Sequence, residues 1–359
     1  MQSFRKSKTM KKDIKSLNLE QLTEELLILG EKKFRAKQIY SWIHEKLADS
    51  FEEMTNLSKG LREKLEENYT LNSMEVVEVQ TSRIDGTQKY LFRLWDGHVI
   101  ESVLMKYHHG NSVCISSQVG CLMGCRFCAS TIGGKVRDLE PSEMLGQIYK
   151  IQKISKERVH NVVVMGTGEP LDNYDHLVQF IKMLTDENGL NISQRNLTVS
   201  TCGIVPKIRK LAEEKFQMTL ALSLHATNQE KRKQLMPIAN KYELSEVLDA
   251  CRYYYEQTGR RITFEYSLVG GVNDTNQDAK ELTELIGKFP CHVNLIPVNP
   301  IKERDFVQPD RVKCQAFRNK LEKNGINVTI RREMGRDIDG ACGQLRKSYL
   351  DREKGEKEC

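Results

Sequence analysis

The stretch Val113-Cys114-Ile115-Ser116-Ser117-Gln118-Val119-Gly120-Cys121-Leu122-Met123-Gly124-Cys125-Arg126-Phe127-Cys128 joins a short β-branched run to a loop that carries three cysteines. Residues 113–117 read as a buried strand, after which Gly120 turns the chain into a C-x3-C-x2-C loop over Cys121, Cys125 and Cys128. Three thiolates within eight residues, interleaved with glycine and arginine, point to a metal. A four-iron, four-sulfur cluster held by three cysteines keeps one iron free of protein ligands and open to a small molecule. A structural zinc ion asks for four ligands, and the nearest histidines, His108 and His109, precede the strand instead of standing at finger spacing. The third reading is a set of unligated core thiols, for which a glycine-rich loop is an unusual place.

Outward from this loop the chain has a regular rhythm. Apolar runs at 161–166, 197–201, 219–224, 262–267, 292–297 and 328–331 alternate with longer stretches of helical periodicity. That alternation predicts α/β architecture, with βα units repeated around a parallel sheet or barrel. Upstream, residues 74–106 hold three strand-like runs separated by Asp85-Gly86 and Asp96-Gly97, the signal of antiparallel hairpins. Residues 17–72 read as short helices packed on one another, with Leu19, Leu22, Leu26 and Leu27 recurring at helical spacing. The run Gly30-Glu31-Lys32-Lys33-Phe34-Arg35-Ala36-Lys37 puts cations beside an aromatic ring, which suits a phosphate-binding surface as well as a solvated helix face. The expected organisation is a basic flexible tail at 1–16, a helical RNA-binding accessory domain at 17–72 and a β linker or extension at 73–106. A catalytic core at 107–346 and a charged tail at 347–359 complete it.

Composition narrows the function classes. The chain has 359 residues, 39% hydrophobic and 29% charged, which fits folded globular domains and not a disordered polymer. Its longest apolar runs are far shorter than the ~20 residues of a membrane span. Residues 1–15 lack an apolar segment, which predicts no secretory signal, a cytoplasmic location and no membrane partner. Ten cysteines are too few for a disulfide scaffold and are expected to be mostly reduced there. A net charge of +6 is compatible with a polyanionic partner without demanding one.

Beyond the cysteine loop, four further motifs follow in order: Met165-Gly166-Thr167-Gly168-Glu169-Pro170, Ser223-Leu224-His225-Ala226, Asn294-Leu295-Ile296-Pro297-Val298-Asn299-Pro300 and Asp337-Ile338-Asp339-Gly340-Ala341-Cys342-Gly343-Gln344. The cysteine loop resembles that of the radical S-adenosylmethionine superfamily. With the other motifs, from about residue 17 to 344, the chain resembles the dual-specificity ribosomal and transfer RNA adenine-C2 methyltransferases. The resemblance implies a partial (β/α)6 barrel of the TIM type. It implies one [4Fe-4S] cluster on Cys121, Cys125 and Cys128, with S-adenosylmethionine on the open iron. Gly168 and Glu169 would hold the methionyl amine, and Ser200, Ser223, Leu224, His225 and Asn299 the rest of that cosubstrate. On residues alone, a turn capped by a surface glutamate and a satisfied edge histidine are the plainer readings of Glu169 and His225.

The resemblance also implies a reaction. Adenine carbon 2 is too weakly acidic for ordinary base catalysis, so a radical route is needed. Two S-adenosylmethionine molecules would be used per turnover. One methylates Cys342, and the other yields a 5'-deoxyadenosyl radical that removes a hydrogen from that methyl group. After the carbon radical adds to the base, Glu101 takes the ring proton as proton acceptor. Cys114 then attacks the Cys342 sulfur in a transient disulfide that an external reductant must open. The implied product is 2-methyladenosine at adenosine 2503 of 23S rRNA and at adenosine 37 of a subset of tRNAs, with an electron donor such as flavodoxin. Two alternatives stand beside it: the related carbon-8 methylation that confers antibiotic resistance, and a non-catalytic iron-sulfur RNA-binding protein. Cys202, Cys251, Cys291 and Cys314 read as core, and Cys359 as a free thiol at the end of the chain.

Overall fold

The computed structural model describes residues 11–300, 305–340 and 343–358, with side chains described as far as residue 353. Its centre is a ten-stranded sheet. Seven strands run parallel: β6 (Gly110–Ile115), β9 (Val159–Val164), β10 (Leu197–Thr201), β11 (Thr219–Ser223), β12 (Ile262–Leu268), β13 (Cys291–Pro297) and β14 (Val328–Ile330). Between them run α4 (Pro141–Ser155), α5 (Tyr174–Leu184), α6 (Val205–Glu213), α7 (Gln229–Leu235), α8 (Leu244–Thr258), α9 (Asn276–Ile286) and α10 (Arg311–Lys323). Each predicted strand of this half is present, so the rhythm of the sequence is the rhythm of the fold.

Along every parallel strand one set of side chains enters the core under the helices. Val113, Ile115, Val162, Val164, Val199, Leu220, Leu222, Phe264, Tyr266, Val293 and Leu295 belong to it. The alternate positions, among them Cys114, Ser200, Ser223, Glu265 and Asn294, therefore face the other way, onto the concave side. A closed barrel packs that side with apolar residues; on this open sheet Ser200, Ser223, Glu265 and Asn294 share it with an apolar group around Cys114, which suits a ligand with polar parts.

The segment read as a linker is part of the same sheet. Strands β3 (Glu75–Thr81), β4 (Gln88–Arg93) and β5 (Val99–Tyr107) form an antiparallel meander whose last strand pairs with β6. Helices α1 (Leu19–Ile28), α2 (Phe34–His44) and α3 (Lys59–Asn68) share the main hydrophobic cluster with α4 and α5. His44 Nδ1 lies 2.7 Å from the Tyr149 hydroxyl across that junction.

Two expected tails are corrected. Within residues 1–16, the described part is folded: β1 (Lys12–Asp13) pairs in parallel with β2 (Tyr69–Thr70), and Ile14 is fully buried. Asp13 caps the short turn that follows by accepting the Lys15 N–H at 3.1 Å, and Lys15 Nζ donates to the Asn72 carbonyl at 2.5 Å. The charged tail at 347–359 is instead largely helical, forming α11 (Gln344–Glu358). Its apolar residues are too few to show as periodicity, yet Leu345 is buried against Leu91 and Val99, and Arg93 donates to the Tyr349 hydroxyl at 2.8 Å.

Candidate active site

The three cysteines sit in a hairpin loop between β7 (Gln118–Gly120) and β8 (Lys135–Asp138), which pair antiparallel. Gly120 turns into the loop at φ +79°, and a Cβ there would stand 1.9 Å from the Gly134 carbonyl, so only glycine fits. The Cys121 N–H donates to that carbonyl at 3.0 Å. Across the loop, Cys128 N–H reaches the Cys125 carbonyl at 3.1 Å, Thr131 Oγ1 donates to the Cys128 carbonyl at 2.9 Å, and Arg126 N–H donates to the Leu235 carbonyl at 2.9 Å. Cys121 and Cys125 are buried, and Cys128 is partly open.

Burial pushes the Cys121 thiol up to about 12, with the charges of Cys128, Glu169 and Asp172 adding to it. Burial likewise holds Cys125 well up, beside Cys128 and Cys121. As bare groups these thiols keep their protons, so loading with metal must release them. Among the described residues, no three His, Cys, Asp or Glu side chains converge on the position of one metal ion. A four-iron cluster spreads its thiolates over three irons, and three cysteines in one loop, two buried and one partly open, fit it.

Glu169 follows β9 and is buried. Its carboxylate accepts the Cys202 N–H at 2.8 Å and the Leu171 N–H at 3.0 Å, and its own N–H donates to Gln118 Oε1 at 2.9 Å. Gly168, at φ +111°, brings the turn so close to Gln118 that a Cβ would lie 2.6 Å from that residue's Cβ. Burial raises the Glu169 pKa, with the hydrogen bonds opposing it. Among the described residues the ion pairs include none to Glu169, whose carboxylate is held by N–H groups.

Ser200 and Ser223 lie half-buried on the concave side, at or near the ends of β10 and β11. Leu224 is fully buried, and its N–H and that of His225 both donate to the Glu265 carbonyl, at 3.0 and 3.3 Å. His225 Nδ1 accepts the Ser267 N–H at 2.9 Å, which leaves the proton on Nε2. Burial, helped by Arg232, lowers its pKa to about 3, so the ring is neutral. Phe127 of the cysteine loop packs edge-on against it at 4.7 Å. Asn299 follows β13, half-buried, one residue after Val298, whose N–H donates to the Leu268 carbonyl at 3.0 Å.

Glu101 is 3% exposed and faces Lys89, which is 0% exposed, with Nζ to Oε1 at 3.0 Å. Its carboxylate also accepts the Gly343 N–H and, at 3.0 Å, the Arg346 N–H, so it caps α11 from β5. Its carbonyl accepts the Ser116 hydroxyl at 2.8 Å, and that hydroxyl accepts the Thr167 N–H at 3.0 Å. One serine thus ties Glu101 to the turn that bears Glu169. Cys114 is buried on β6 among Val103, Met105, Val163, Met165 and Met334. Cys342 and Cys359 lie outside the described residues. Gly343 is close enough to Ser130, two residues past Cys128, that a Cβ would come within 2.9 Å of it.

The structure brings together residues that lie far apart in the chain, and it adds partners that local patterns did not single out. Lys89 belongs to an ordinary strand pattern, and only the fold sets it against Glu101. Cys202 is buried as expected, but it shares a cluster with Cys125, Leu235 and Met236, and its N–H holds Glu169. Cys251 and Cys314 are buried, whereas Cys291 is half-buried, a correction to its core reading, because it opens a strand at the sheet's end.

Comparison with known proteins agrees with this geometry. Residues 12–71 match the ribosomal RNA large subunit methyltransferase N-terminal domain, and residues 115–286 match the radical SAM superfamily. A relative from Lachnospira eligens, named a probable dual-specificity RNA methyltransferase RlmN, is 69% identical over 94% of this chain and 97% of its own. One of the same name from Lachnoclostridium phytofermentans is 66% identical over 96% of this chain and 97% of its own. A crystal structure of a radical SAM methyltransferase from Sphaerobacter thermophilus superposes with a TM-score of 0.89 at 41% identity, covering 93% of this chain and 98% of that one. No helix among the described residues is long and apolar enough to cross a membrane. The chain is an enzyme that belongs to the dual-specificity RNA methyltransferases of the radical S-adenosylmethionine superfamily.

Proposed function

We propose that the enzyme methylates carbon 2 of adenine, at adenosine 2503 of 23S rRNA and adenosine 37 of a subset of tRNAs, with Cys342 carrying the methyl group and two S-adenosylmethionine molecules spent per turnover. The observation that carries this reading is the tie between the residues after Cys342 and Glu101. The Gly343 and Arg346 N–H groups both point at the Glu101 carboxylate, while Gly343 packs against Ser130 beside the cysteine loop. The segment that follows Cys342 therefore lies against both Glu101 and the cysteine loop, which supports the reading.

Cys121, Cys125 and Cys128 would hold the cluster, and Glu169 the amino group of S-adenosylmethionine. Ser200, Ser223, Leu224, His225 and Asn299 would line the rest of that ligand. When bound, cluster and cosubstrate supply a one-electron cleavage that generates a carbon radical. Cys342 first accepts a methyl group on sulfur, losing its thiol proton. Glu101 receives the ring proton once the new carbon bond has formed, with Lys89 beside it as counter-charge. Once the adduct has returned one electron to the group that supplied it, Cys114 would displace the product by attacking the Cys342 sulfur, its thiol proton going to the departing methyl carbon, and the resulting disulfide takes two electrons and two protons from an external reductant to reset. A flavodoxin-type donor would feed the cluster. The exposed Leu27, Ile28 and Phe34 on α1 and α2, with the half-buried Arg35 over the Phe34 ring, form the patch where RNA would be met.

The test is anaerobic loading of the full chain with iron and sulfide, then incubation with S-adenosylmethionine, reductant and protein-free ribosomal RNA, and mass spectrometry of the digested nucleosides. The expected product is 2-methyladenosine, lost in Cys342→Ala. Formation of 8-methyladenosine alone assigns the carbon-8 reaction instead, and unchanged methylation in Cys342→Ala rejects the carrier.

A further inference from the structure

Helix α7 and the turn after it form the floor of the cysteine loop. Leu235 and Met236 cluster with Cys125 and Cys202, the Leu235 carbonyl takes the Arg126 N–H, and Pro237 lies 3.3 Å from where a Gly124 Cβ would stand. In this floor sits Arg232, the largest fully buried side chain, at 0% exposure. Its Nη2 donates to the Cys202 carbonyl at 2.7 Å and, more weakly, to the Ser223 carbonyl at 3.4 Å. Its Nε and Nη1 are buried with no hydrogen-bond partner among the described residues.

An arginine cannot shed its charge, so a buried guanidinium without an acid beside it is strongly unfavourable unless something else balances it. The groups that face Arg232 and can carry negative charge are the thiols of Cys202, Cys125 and Cys251. Cys251 belongs to the main core, away from the loop. Cys125 belongs to the cysteine loop and would bring the charge of the cluster and its thiolates with it. Gly203, at φ +102°, keeps the approach open, since a Cβ there would stand 3.3 Å from Nη2.

We propose that Arg232 is the buried counter-charge of the iron-sulfur cluster, a positioning residue that holds the loop from below and raises the cluster's reduction potential. The inference rests on the cluster reading of Cys121, Cys125 and Cys128. Reduction adds one negative charge to the cluster, and a fixed cation in a dry site stabilises the reduced form more than the oxidised one. The electron comes from a low-potential one-electron donor. The two unpaired N–H groups leave the guanidinium with donors for the cluster's sulfur.

The test uses the full chain and three variants, Arg232→Met, Arg232→Gln and Arg232→Lys, loaded anaerobically with iron and sulfide. Two quantities are read: the midpoint potential, by redox titration followed with electron paramagnetic resonance, and the rise in Tm on loading. In Arg232→Gln and Arg232→Met the ratio of reduced to oxidised cluster at a fixed poise is expected to fall about tenfold, or ~59 mV for a one-electron couple. The rise in Tm on loading shrinks with it, while Arg232→Lys stays near the parent. Arg232→Gln keeps a hydrogen-bond donor for the Cys202 carbonyl and so reads the charge if Arg232→Met does not fold. A purely structural arginine predicts lower Tm before and after loading alike, with an unchanged potential; that result overturns the proposal. A parent chain that takes up no iron-sulfur cluster overturns instead the reading on which it rests.

Discussion

Two regions of this enzyme bury ionisable side chains in opposite ways. In the antiparallel meander, Lys89 and Glu101 face each other at 3.0 Å, and two N–H groups of the C-terminal segment also donate to the carboxylate. Around the cysteine loop, Glu169 and Arg232 are just as deeply buried, yet among the described residues neither has an ion-pair partner of its own. A charge set that the chain completes by itself is held in place before any ligand arrives. One that it leaves incomplete suits a partner from outside, which on the reading proposed above is an ammonium-bearing cosubstrate and an anionic cluster.

Breaking the complete pair should have the largest effect on stability. Lys89→Met leaves Glu101 buried without its cation, and a loss of ~3–5 kcal/mol is expected, measured by chemical denaturation of the unloaded chain. The double variant Lys89→Met with Glu101→Leu should recover most of it; a double variant as unstable as the sum of the single changes would show the two side chains to be uncoupled.

Glu265 sharpens the contrast from the open side. It stands beside Ser223 on the concave side, accepts a hydrogen bond from Asn294 at 2.8 Å, and burial raises its pKa to about 7. The folded value lies above the unfolded one, so the folded chain binds the extra proton. Its contribution is present below about pH 4.5 and is lost as pH rises through about 7. Relative to Glu265→Gln, the parent should lose up to about 3 kcal/mol across that window. A pH dependence equal to that of the variant would remove the claim that this carboxyl is held dry.

Glu169→Gln tests the incomplete set more gently. An NH2 group would replace one of the two oxygens that accept the Cys202 and Leu171 N–H groups, so the unloaded chain should lose roughly 1–3 kcal/mol. Binding of S-adenosylmethionine to the loaded enzyme, by calorimetry, should weaken by roughly 1.5–3 kcal/mol, the worth of a hydrogen bond to a charged group. A large drop in Tm with unchanged binding would make Glu169 structural. At the bottom of the scale, Lys59 and Glu63 on α3 form an exposed pair at 3.6 Å. Lys59→Ala should cost under about 0.5 kcal/mol by thermal denaturation, and a larger loss would mean that surface charge is coupled to the fold in a way the structure does not show.

How much of this was legible beforehand follows the range of the interactions. The strands at 197–201 and 219–224 and the loop at Cys121, Cys125 and Cys128 carry their signal within a few neighbouring residues, and the structure has β10, β11 and the hairpin there. Ile14 and Tyr349 read as tail residues because each is a lone apolar or aromatic residue in a charged stretch. Their placement depends on partners more than fifty residues away, Tyr69 and Thr70 pairing alongside the first and Leu91 and Val99 packing on the second. Lys89 and Arg232 were invisible for the same reason. Each is an unremarked cation in sequence, and only the folded chain reveals what faces it. Glu101 reads on residues alone as an exposed strand carboxylate, and the fold buries it because α11 returns across β5.

The central claim is that three cysteines hold a cluster with one iron left open for S-adenosylmethionine. The direct measurement is electron paramagnetic resonance of the anaerobically loaded, reduced chain, before and after S-adenosylmethionine is added. The expected result is an iron-sulfur signal that changes on addition in the parent and is absent in Cys125→Ala. A parent chain that binds zinc in the loop, or a reduced cluster whose signal ignores S-adenosylmethionine, would contradict it.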